Sequence, residues 1–506
     1  MHAGVDVLWA RIDPTFTAQY FAPMPFTTPS FGLFFLLVFV AWHLAPRPFR
    51  YWVLLVASLA YCGLASPPSL FPLLVVVVGG YSAALWLDRL TSPRPRRVIL
   101  SSAIVVMALC LFGPKLIESH AGGPAGPPGF SLGLLGVSFF TLKVVAYLVD
   151  VYRKRIPAER NLGLFAAYVA LFLELPAGPI DRAQSVLPHL RDPPDFDEAR
   201  AAHGLRLVLW GFFKKFVVAD RLAVFVAVAY DPPQSATGGA VVVATIAFAF
   251  QLFADFSAYS DMAVGFGHCL GLRLAQNFDS PYTATTVSKF WTRWHISFST
   301  WLRDYVFLPL HYRWARLLEG RSFLGFSGEH WSYAGAAAVT MALAGLWHGI
   351  GVNYLLWGFA IAALMVTSVF TRKLRARVAK RLGLRRVPRL HAAGQLLGTF
   401  FFICVTWVFF RSDGPGAALH IFAQAFAGHT GFLGPLLPGA APIDVLLALS
   451  CTAAMLAIEA LRGQSGRSAL LAGRPAWLRW GICAQVIILT VLLRAQGGQP
   501  FLYAGF

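Results

Sequence analysis

The sequence predicts an all-α, polytopic integral membrane protein, and three observations carry that prediction. Of 506 residues, 57% are hydrophobic and 13% are charged, against roughly 25% charged in an average soluble domain. Mean hydropathy is +0.62. Apolar runs approaching the ~20 residues of a transmembrane helix recur along the chain. The 45 glycines and 32 prolines are too many for a bundle of straight spans. Both are tolerated at membrane depth where protein or a water-filled cavity satisfies the freed backbone groups, so broken and re-entrant helices around a cavity are expected.

In chain order, the first apolar segments are Ser30 to Ala45, Tyr51 to Ala65, Leu70 to Leu87, Val98 to Leu116 and Leu132 to Val151. The loops between them alternate. Arg47 and Arg50 come first, then the uncharged Ser66-Pro67-Pro68-Ser69. Arg94, Arg96 and Arg97 follow, then the glycine-proline stretch Ala121 to Gly129, then Arg153, Lys154, Arg155 and Arg160. Basic loops mark the cytoplasm, which places the N-terminal segment, residues 1–29, outside it. Met1 to Ser30 lacks a basic start followed by an apolar run, so no cleavable signal peptide is expected.

Leu162 to Pro179 is too short and too broken by Pro176, Gly178 and Pro179 to span simply, and reads as re-entrant or interfacial. Ala201 to Tyr230 carries Lys214 and Lys215 in its middle, as an interfacial helix leading into a span would. Ala240 to Phe256 is a span followed by a polar break, Ser257-Ala258-Tyr259-Ser260-Asp261. Thr285 to Leu310 places Phe290, Trp294, Phe298, Trp301 and Tyr305 on one face, with Lys289, Arg293 and Arg303 alongside, the pattern of an amphipathic interfacial helix. His295 stands beside that stripe, with Thr292 and Ser299 one turn away on the same face.

Trp331 to Trp347 and Gly351 to Phe370 form a hairpin of spans. The most basic loop, Arg372 to Arg389, comes next. It is cytoplasmic by its charge, which directs the hairpin turn to the other leaflet. Gln395 to Phe410, Pro442 to Leu461 and Trp477 to Leu493 bring the total to roughly eleven spans plus partial helices. No internal repeat or detachable soluble domain is evident. The chain reads as one membrane-embedded domain, residues 1–506, with its motif-bearing core in 130–370.

The formal net charge of +19 raises nucleic acid as a partner. Most Lys and Arg lie in short runs between apolar segments, however, and anionic lipids of a cytoplasmic leaflet account for them better. The bilayer is the expected partner and nucleic acid is not. The six cysteines are scattered, mostly within apolar stretches and without a Cys-x-x-Cys pair, and read as small core residues.

An ionisable residue inside an apolar span is a functional-site hypothesis by default. Two histidines fit that description, His295 in Trp294-His295-Ile296-Ser297 and His348 in Leu346-Trp347-His348-Gly349. His348 lies among Ala342, Ala344, Gly345, Gly349 and Gly351, which allow close approach by another helix or a substrate. A near-neutral imidazole can take a proton from an alcohol and return it to a leaving group. From these residues alone two readings stay open, a catalytic base and a helix-hairpin cap hydrogen-bonded to a carbonyl. His295 is open in the same way, since Trp291 and Trp294 suit headgroup anchors equally well. Asp261, beside Tyr259, either orients an imidazole or caps the segment from Met262, and Glu174 raises the same choice.

The chain has no Gly-x-x-x-x-Gly-Lys-Ser/Thr loop and no His-Glu-x-x-His, so ATPase and zinc protease readings lack local support. Thirteen histidines without clustered spacing argue against a metal site. The His-x-x-x-x-Asp spacing of soluble acyltransferases is missing at both histidines.

In order, Gly136-Val137-Ser138-Phe139-Phe140-Thr141, Asp150-Val151-Tyr152-Arg153, Ala177-Gly178-Pro179-Ile180, Phe256 to Ala263, Asn277-Phe278 with Pro281-Tyr282, Phe290 to Pro309, Leu346 to Gly349 and the closing Pro500-Phe501-Leu502-Tyr503 resemble the membrane-bound O-acyltransferases. Within that family they resemble the bacterial branch that includes the membrane subunit of alginate O-acetyltransferase. The resemblance implies a helical membrane fold around an internal tunnel, acyl transfer at His348 and a supporting role for His295. Tyr259, Asp261, Trp347, Asn353 and Arg303 join them as candidates for binding substrate or supporting the histidines.

The expected function is transfer of an acyl group, most simply acetyl, toward hydroxyls of an extracytoplasmic polysaccharide such as alginate. The donor would be cytoplasmic acetyl-CoA or another acyl-CoA, with no permanently bound cofactor. The location would be the bacterial inner membrane, and a periplasmic acetyltransferase-type partner is expected. A sibling enzyme that transfers D-alanyl groups or acylates peptidoglycan or protein would share these motifs. A transporter or flippase would show inverted halves and a midplane charged site, and neither is apparent in the sequence.

Overall fold

The computed structural model describes residues 24–121, 134–231, 238–427, 442–462, 474–495 and 501–502. Most of the expected exterior segment 1–29, the glycine-proline stretch after Ala121, and Pro500 and Tyr503 of the closing motif lie outside them. Two compact units form, Met1–Ala202 with Phe266–Leu274, and His203–Gly265 with Ala275–Phe506.

The first unit holds α1 (Pro29–Leu44), α2 (Arg50–Ala65), α3 (Leu70–Arg89), α4 (Pro93–Ala121), α5 (Val137–Tyr152), α6 (Leu162–Val169) and α7 (Ala183–Arg191). The last carbonyls of a helix have no partner within it, and a cation there is favoured by the dipole. Arg96 meets that need twice. Although expected in an exposed loop, it is buried in the first turn of α4. Its guanidinium donates to the carbonyls of Leu87 (2.6 Å) and Leu90 (3.0 Å) at the end of α3, and of Tyr152 (2.5 Å) at the end of α5. The stretch expected to be re-entrant becomes the eight residues of α6 followed by buried turns through Ile180. Lys143 of α5 holds those turns, donating to the Tyr168 carbonyl and to the Glu174 carboxylate. Glu174 is therefore partnered by a lysine.

The second unit contains most of α8 (Glu198–Phe213), a π-helix at Lys214–Ala219, α9 (Asp220–Tyr230) and most of α10 (Gly238–Cys269). Four short pieces follow: α11 (Val287–Trp291), α12 (Ile296–Leu302), a π-helix at Arg303–Phe307 and α13 (Leu308–Leu317). After the two-residue strands β1 (Ser322–Phe323) and β2 (Phe326–Ser327) come α14 (Gly328–His348), α15 (Val352–Phe370), α16 (Arg372–Arg381), α17 (Pro388–Arg411), α18 (Pro415–Ala427), α19 (Pro442–Arg462) and α20 (Ala476–Leu492). β1 and β2 pair antiparallel, Ser322 with Ser327 and Phe323 with Phe326.

Two sequence expectations fail here for one physical reason. Lys214 and Lys215 are not interfacial; both are buried. Lys214 Nζ lies 2.8 Å from Ser257 Oγ and 2.9 Å from an Asp261 carboxylate oxygen, and 3.7 Å from Glu459. Lys215 Nζ lies 2.8 Å from Asp255 and 2.9 Å from Asp220. A π-helix accommodates an extra residue per turn, and this one brings two consecutive lysines against carboxylates. With its polar groups satisfied in this way, α10 runs unbroken past Phe256, so the polar break is absent. Asp261 sits in mid-helix and does not cap a new segment. A buried charged cluster thus lies on a helix long enough to cross a bilayer, although the sequence reading found none.

Among the described residues, seven helical segments are long and apolar enough to cross a membrane, ending at or within α2, α3, α4, α10, α15, α17 and α19. The difference from roughly eleven is one of length and polarity. α1 and α5 have 16 residues each, about 24 Å of helix, short of the ~30 Å hydrocarbon core. α14 has 21 residues but begins Gly328-Glu329-His330. The hairpin of α14 and α15 forms as expected. A Cβ at Gly345 would fall on the Tyr354 carbonyl, and one at Gly358 on the Met341 carbonyl, so these two glycines allow the helices to touch backbone to backbone.

Candidate active site

The amphipathic helix expected over Thr285 to Leu310 is interrupted at His295, which adopts φ 43° and ψ 56°. That left-handed conformation is uncommon outside glycine and costs on the order of 1–3 kcal/mol, a strain that surrounding structure must hold. Asn277 supplies the hold. Its carbonyl accepts from the Ile296 N–H at 2.9 Å, and its side-chain oxygen accepts from Ser297 Oγ at 2.6 Å. The aromatic spacing survives the break because both short helices turn the same residues inward. Phe290, Trp294, Phe298 and Trp301 are all buried, and His295 is 1% exposed. The stripe is core and not a headgroup face. Thr292 is exposed and does not share a face with His295, while Ser299 meets it through backbone, its N–H donating to the His295 carbonyl at 2.8 Å.

His348 ends α14 and is buried. Its ring lies edge-on to Trp357 (centroids 5.1 Å apart) and Phe410 (5.0 Å), and 4.7 Å from Trp347. Phe298 and Trp347 stack at 4.3 Å, and both histidines pack on that pair. His295 is 5.1 Å from Phe298 and 6.0 Å from Trp347, and His348 is 6.2 Å from Phe298. Phe256 of α10 closes the far side of His295 at 4.7 Å. Two residues 53 positions apart in sequence thus share one aromatic chamber.

His295 lies outside the membrane-spanning helices, and burial pushes its imidazole down to about 3. The ring is neutral at any working pH, able to donate one hydrogen bond and accept another. In such dry surroundings an electrostatic contact is worth more than in water.

The structure sorts the other sequence candidates. Trp347 is within the chamber. Asn353 stands at its edge, donating to the Ser412 carbonyl at 3.0 Å and so tying the start of α15 to the end of α17, which carries Phe410. Tyr259 is edge-on to Phe501 at 5.6 Å, and Asp261 belongs to the lysine cluster. Arg303 is not brought to the histidines; it projects outward with its Nε 2.8 Å from Asp304, because the π-helix that carries it has no buried residue. In the sequence Phe298 belongs to the aromatic stripe and Phe256 to a motif, and neither pattern marks them as walls of a site. Asn277 was visible as a motif residue, without a role. An apolar cavity of about 280 Å³ lined by Phe250, Phe253, Tyr282, Phe400 and Leu456 includes neither histidine in its walls.

Residues 158–410 match the model of MBOAT, the membrane-bound O-acyltransferase family. The chain is similar to a protein of Pseudomonas syringae pv. tomato described as probable alginate O-acetylase AlgI, 30% identical over 80% of this chain and 75% of that one. It is also similar to the peptidoglycan O-acetyltransferase of Helicobacter pylori, 30% identical over 57% of this chain and 55% of that one. With a teichoic acid D-alanyltransferase of Streptococcus thermophilus it is 27% identical over 51% of this chain and 62% of that one. Seven helices able to cross a membrane among the described residues, the match over the segment that holds both histidines and the coverage of the Pseudomonas relative lead to one conclusion: the chain belongs to the membrane-bound O-acyltransferase family and is a multi-pass membrane O-acyltransferase.

Proposed function

We propose that this enzyme moves an acetyl group from a cytoplasmic acyl-CoA to hydroxyls of an extracytoplasmic polysaccharide, in the bacterial inner membrane and with its N-terminus outside. The observation that carries the reading is the shared chamber of His348 and His295 on the Phe298–Trp347 stack. Support for a polysaccharide acceptor comes from the Pseudomonas relative, the one of the three compared that is matched over three quarters of its length. The N-terminal orientation rests on the alternation of the basic runs at Arg47, Arg94 to Arg97 and Arg153 to Arg155 with uncharged loops, and the direction of the His348 turn on Arg372 to Arg389, nine cations without an acidic residue, since basic segments mark the cytoplasm.

His348 takes the proton of the accepting hydroxyl as its oxygen adds to the thioester carbonyl. The carbon–sulfur bond then breaks, and the imidazolium returns that proton to the leaving thiolate, leaving an O-ester and a free thiol. Neutral His295 donates its N–H to the oxygen that becomes negative on the way, and the aromatic walls keep water from competing. The accepting hydroxyl belongs to the sugar itself or to a serine of a periplasmic partner that completes the delivery.

The test is transfer of labelled acetyl from acetyl-CoA by the purified protein in proteoliposomes, for wild type, His348→Ala and His295→Ala. His348→Ala should lose transfer while remaining folded and inserted, and His295→Ala should lose most of it. Full transfer by His348→Ala would overturn the assignment. Label carried by D-alanyl in place of acetyl, or O-acetyl lost from peptidoglycan and not from exopolysaccharide in a deletion strain, would redirect the substrate.

A further inference from the structure

We propose that Asn277 is the positioning residue of the site, the side chain that sets His295 in its left-handed turn and fixes the imidazole in the chamber. The activity part of this inference rests on the acyl-transfer reading; the geometric part does not. Asn277 is 1% exposed and lies 18 residues before His295. It reaches both neighbours that follow the strained residue, the Ile296 N–H through its carbonyl at 2.9 Å and the Ser297 hydroxyl through its side-chain oxygen at 2.6 Å. Its amide nitrogen is committed in the other direction, donating to Ser260 Oγ of α10 at 3.1 Å.

That third bond makes the arrangement more than a local turn. Ser260 stands four residues after Phe256 and therefore on the same face of α10, and Phe256 is the ring packed edge-on against His295. One amide thus locks the turn bearing His295 to the helix bearing its wall. The next residue repeats the grip with aromatic surface, since Phe278 is edge-on to Phe256 at 5.0 Å and to Trp294 at 5.1 Å. The carboxamide oxygen accepts from the Ser297 hydroxyl at 2.6 Å and from its N–H at 3.4 Å while the carboxamide nitrogen donates to α10; the Ile296 bond is backbone and stays whatever side chain stands at 277. Alanine offers neither group, and a carboxylate lacks the N–H for Ser260. A left-handed non-glycine residue relaxes when its surroundings no longer over-determine it, so loss of these bonds should let His295 swing from its place.

The experiment compares wild type, Asn277→Ala, His295→Ala and the double variant in the full chain. Asn277→Ala should lower kcat by roughly 10- to 100-fold, the scale of a misplaced catalytic group, with KM for the acyl donor unchanged. The double variant should be no slower than His295→Ala alone. A readout independent of activity is carbethoxylation of His295 by diethylpyrocarbonate, followed by peptide mass spectrometry. The buried ring should react slowly in wild type and several-fold faster in Asn277→Ala. Should Asn277→Ala fail to insert, Ser297→Ala removes one of the bonds and should show a smaller rise in labelling. Unchanged His295 labelling in the folded variant, or a further loss of rate when Asn277→Ala is added to His295→Ala, would overturn the proposal. If His348→Ala and His295→Ala both retain full transfer, it is the catalytic reading that fails, and the labelling still decides the role of Asn277.

Discussion

Phe298 stacks on Trp347 with ring centroids 4.3 Å apart and planes 30° from parallel, and this pair joins α12, which follows His295, to α14, which ends in His348. The stack is the spacer between the two imidazoles, because each of them packs on it. Phe298→Ala should therefore cost activity as well as stability. Removing a buried Phe destabilises by roughly 3–5 kcal/mol, and a shift of the histidines on the order of 1 Å is enough to lower turnover by about 100-fold. Acetyl transfer measured beside thermal unfolding in detergent checks both, with Arg303→Gln as the control. Arg303 is exposed and paired with its neighbour Asp304, and should leave stability within about 0.5 kcal/mol and transfer near wild type.

The His295 imidazole is held near 3 by burial, below the ordinary 6.5, and the sign of the consequence follows. Above pH 6.5 the ring is neutral folded and unfolded, and burial carries no protonation penalty. As pH falls below 6.5 the unfolded chain takes up a proton that the folded chain refuses, so stability declines until about pH 3. Wild type should lose more stability than His295→Gln over this window. Melting temperatures of the two proteins at pH 7, 5 and 4 should diverge; parallel curves would show that the buried ring is not an acid-labile element.

The sequence was a good guide to the helical hairpin of α14 and α15, because two apolar runs of near-spanning length joined by a tight turn are local signals. It was a poor guide to His295. Spacings of four and three among Phe290, Trp294, Phe298, Trp301 and Tyr305 fit one long helix, and equally fit two short ones that bury the same rings. The difference lies in a single left-handed residue held by Asn277, and bonds from Asn277 to Ile296 and Ser297, far along the chain, leave no periodic trace. Lys214 and Lys215 failed in the same way. Two lysines in an apolar run read as interface, and while Asp220 is a near neighbour of Lys215, Asp255 and Asp261 stand 40 and 47 residues away on α10 and Glu459 lies farther still on α19. Long-range partners chose the outcome in both cases.

The Lys214 cluster gives the sharpest stability prediction. Lys214 faces Asp261 at 2.9 Å and Glu459 at 3.7 Å, while the Trp210 indole N–H donates to Glu459 at 2.8 Å. One cation thus serves two buried carboxylates contributed by α10 and α19. Replacing it with an apolar residue leaves both without their counter-ion, and breaking a buried pair from one side costs roughly 3–5 kcal/mol. Lys214→Met should accordingly lower the melting temperature sharply. Adding Asp261→Asn to Lys214→Met should recover part of the loss, because a neutral amide at that position no longer demands a cation. Recovery should be incomplete, since Glu459 still faces the methionine. A second variant with Glu459→Gln in the same background should recover more. If Lys214→Met melts with wild type, the lysine contributes no net stability; if the added exchanges deepen the loss, the three groups do not act as a charge-balanced set.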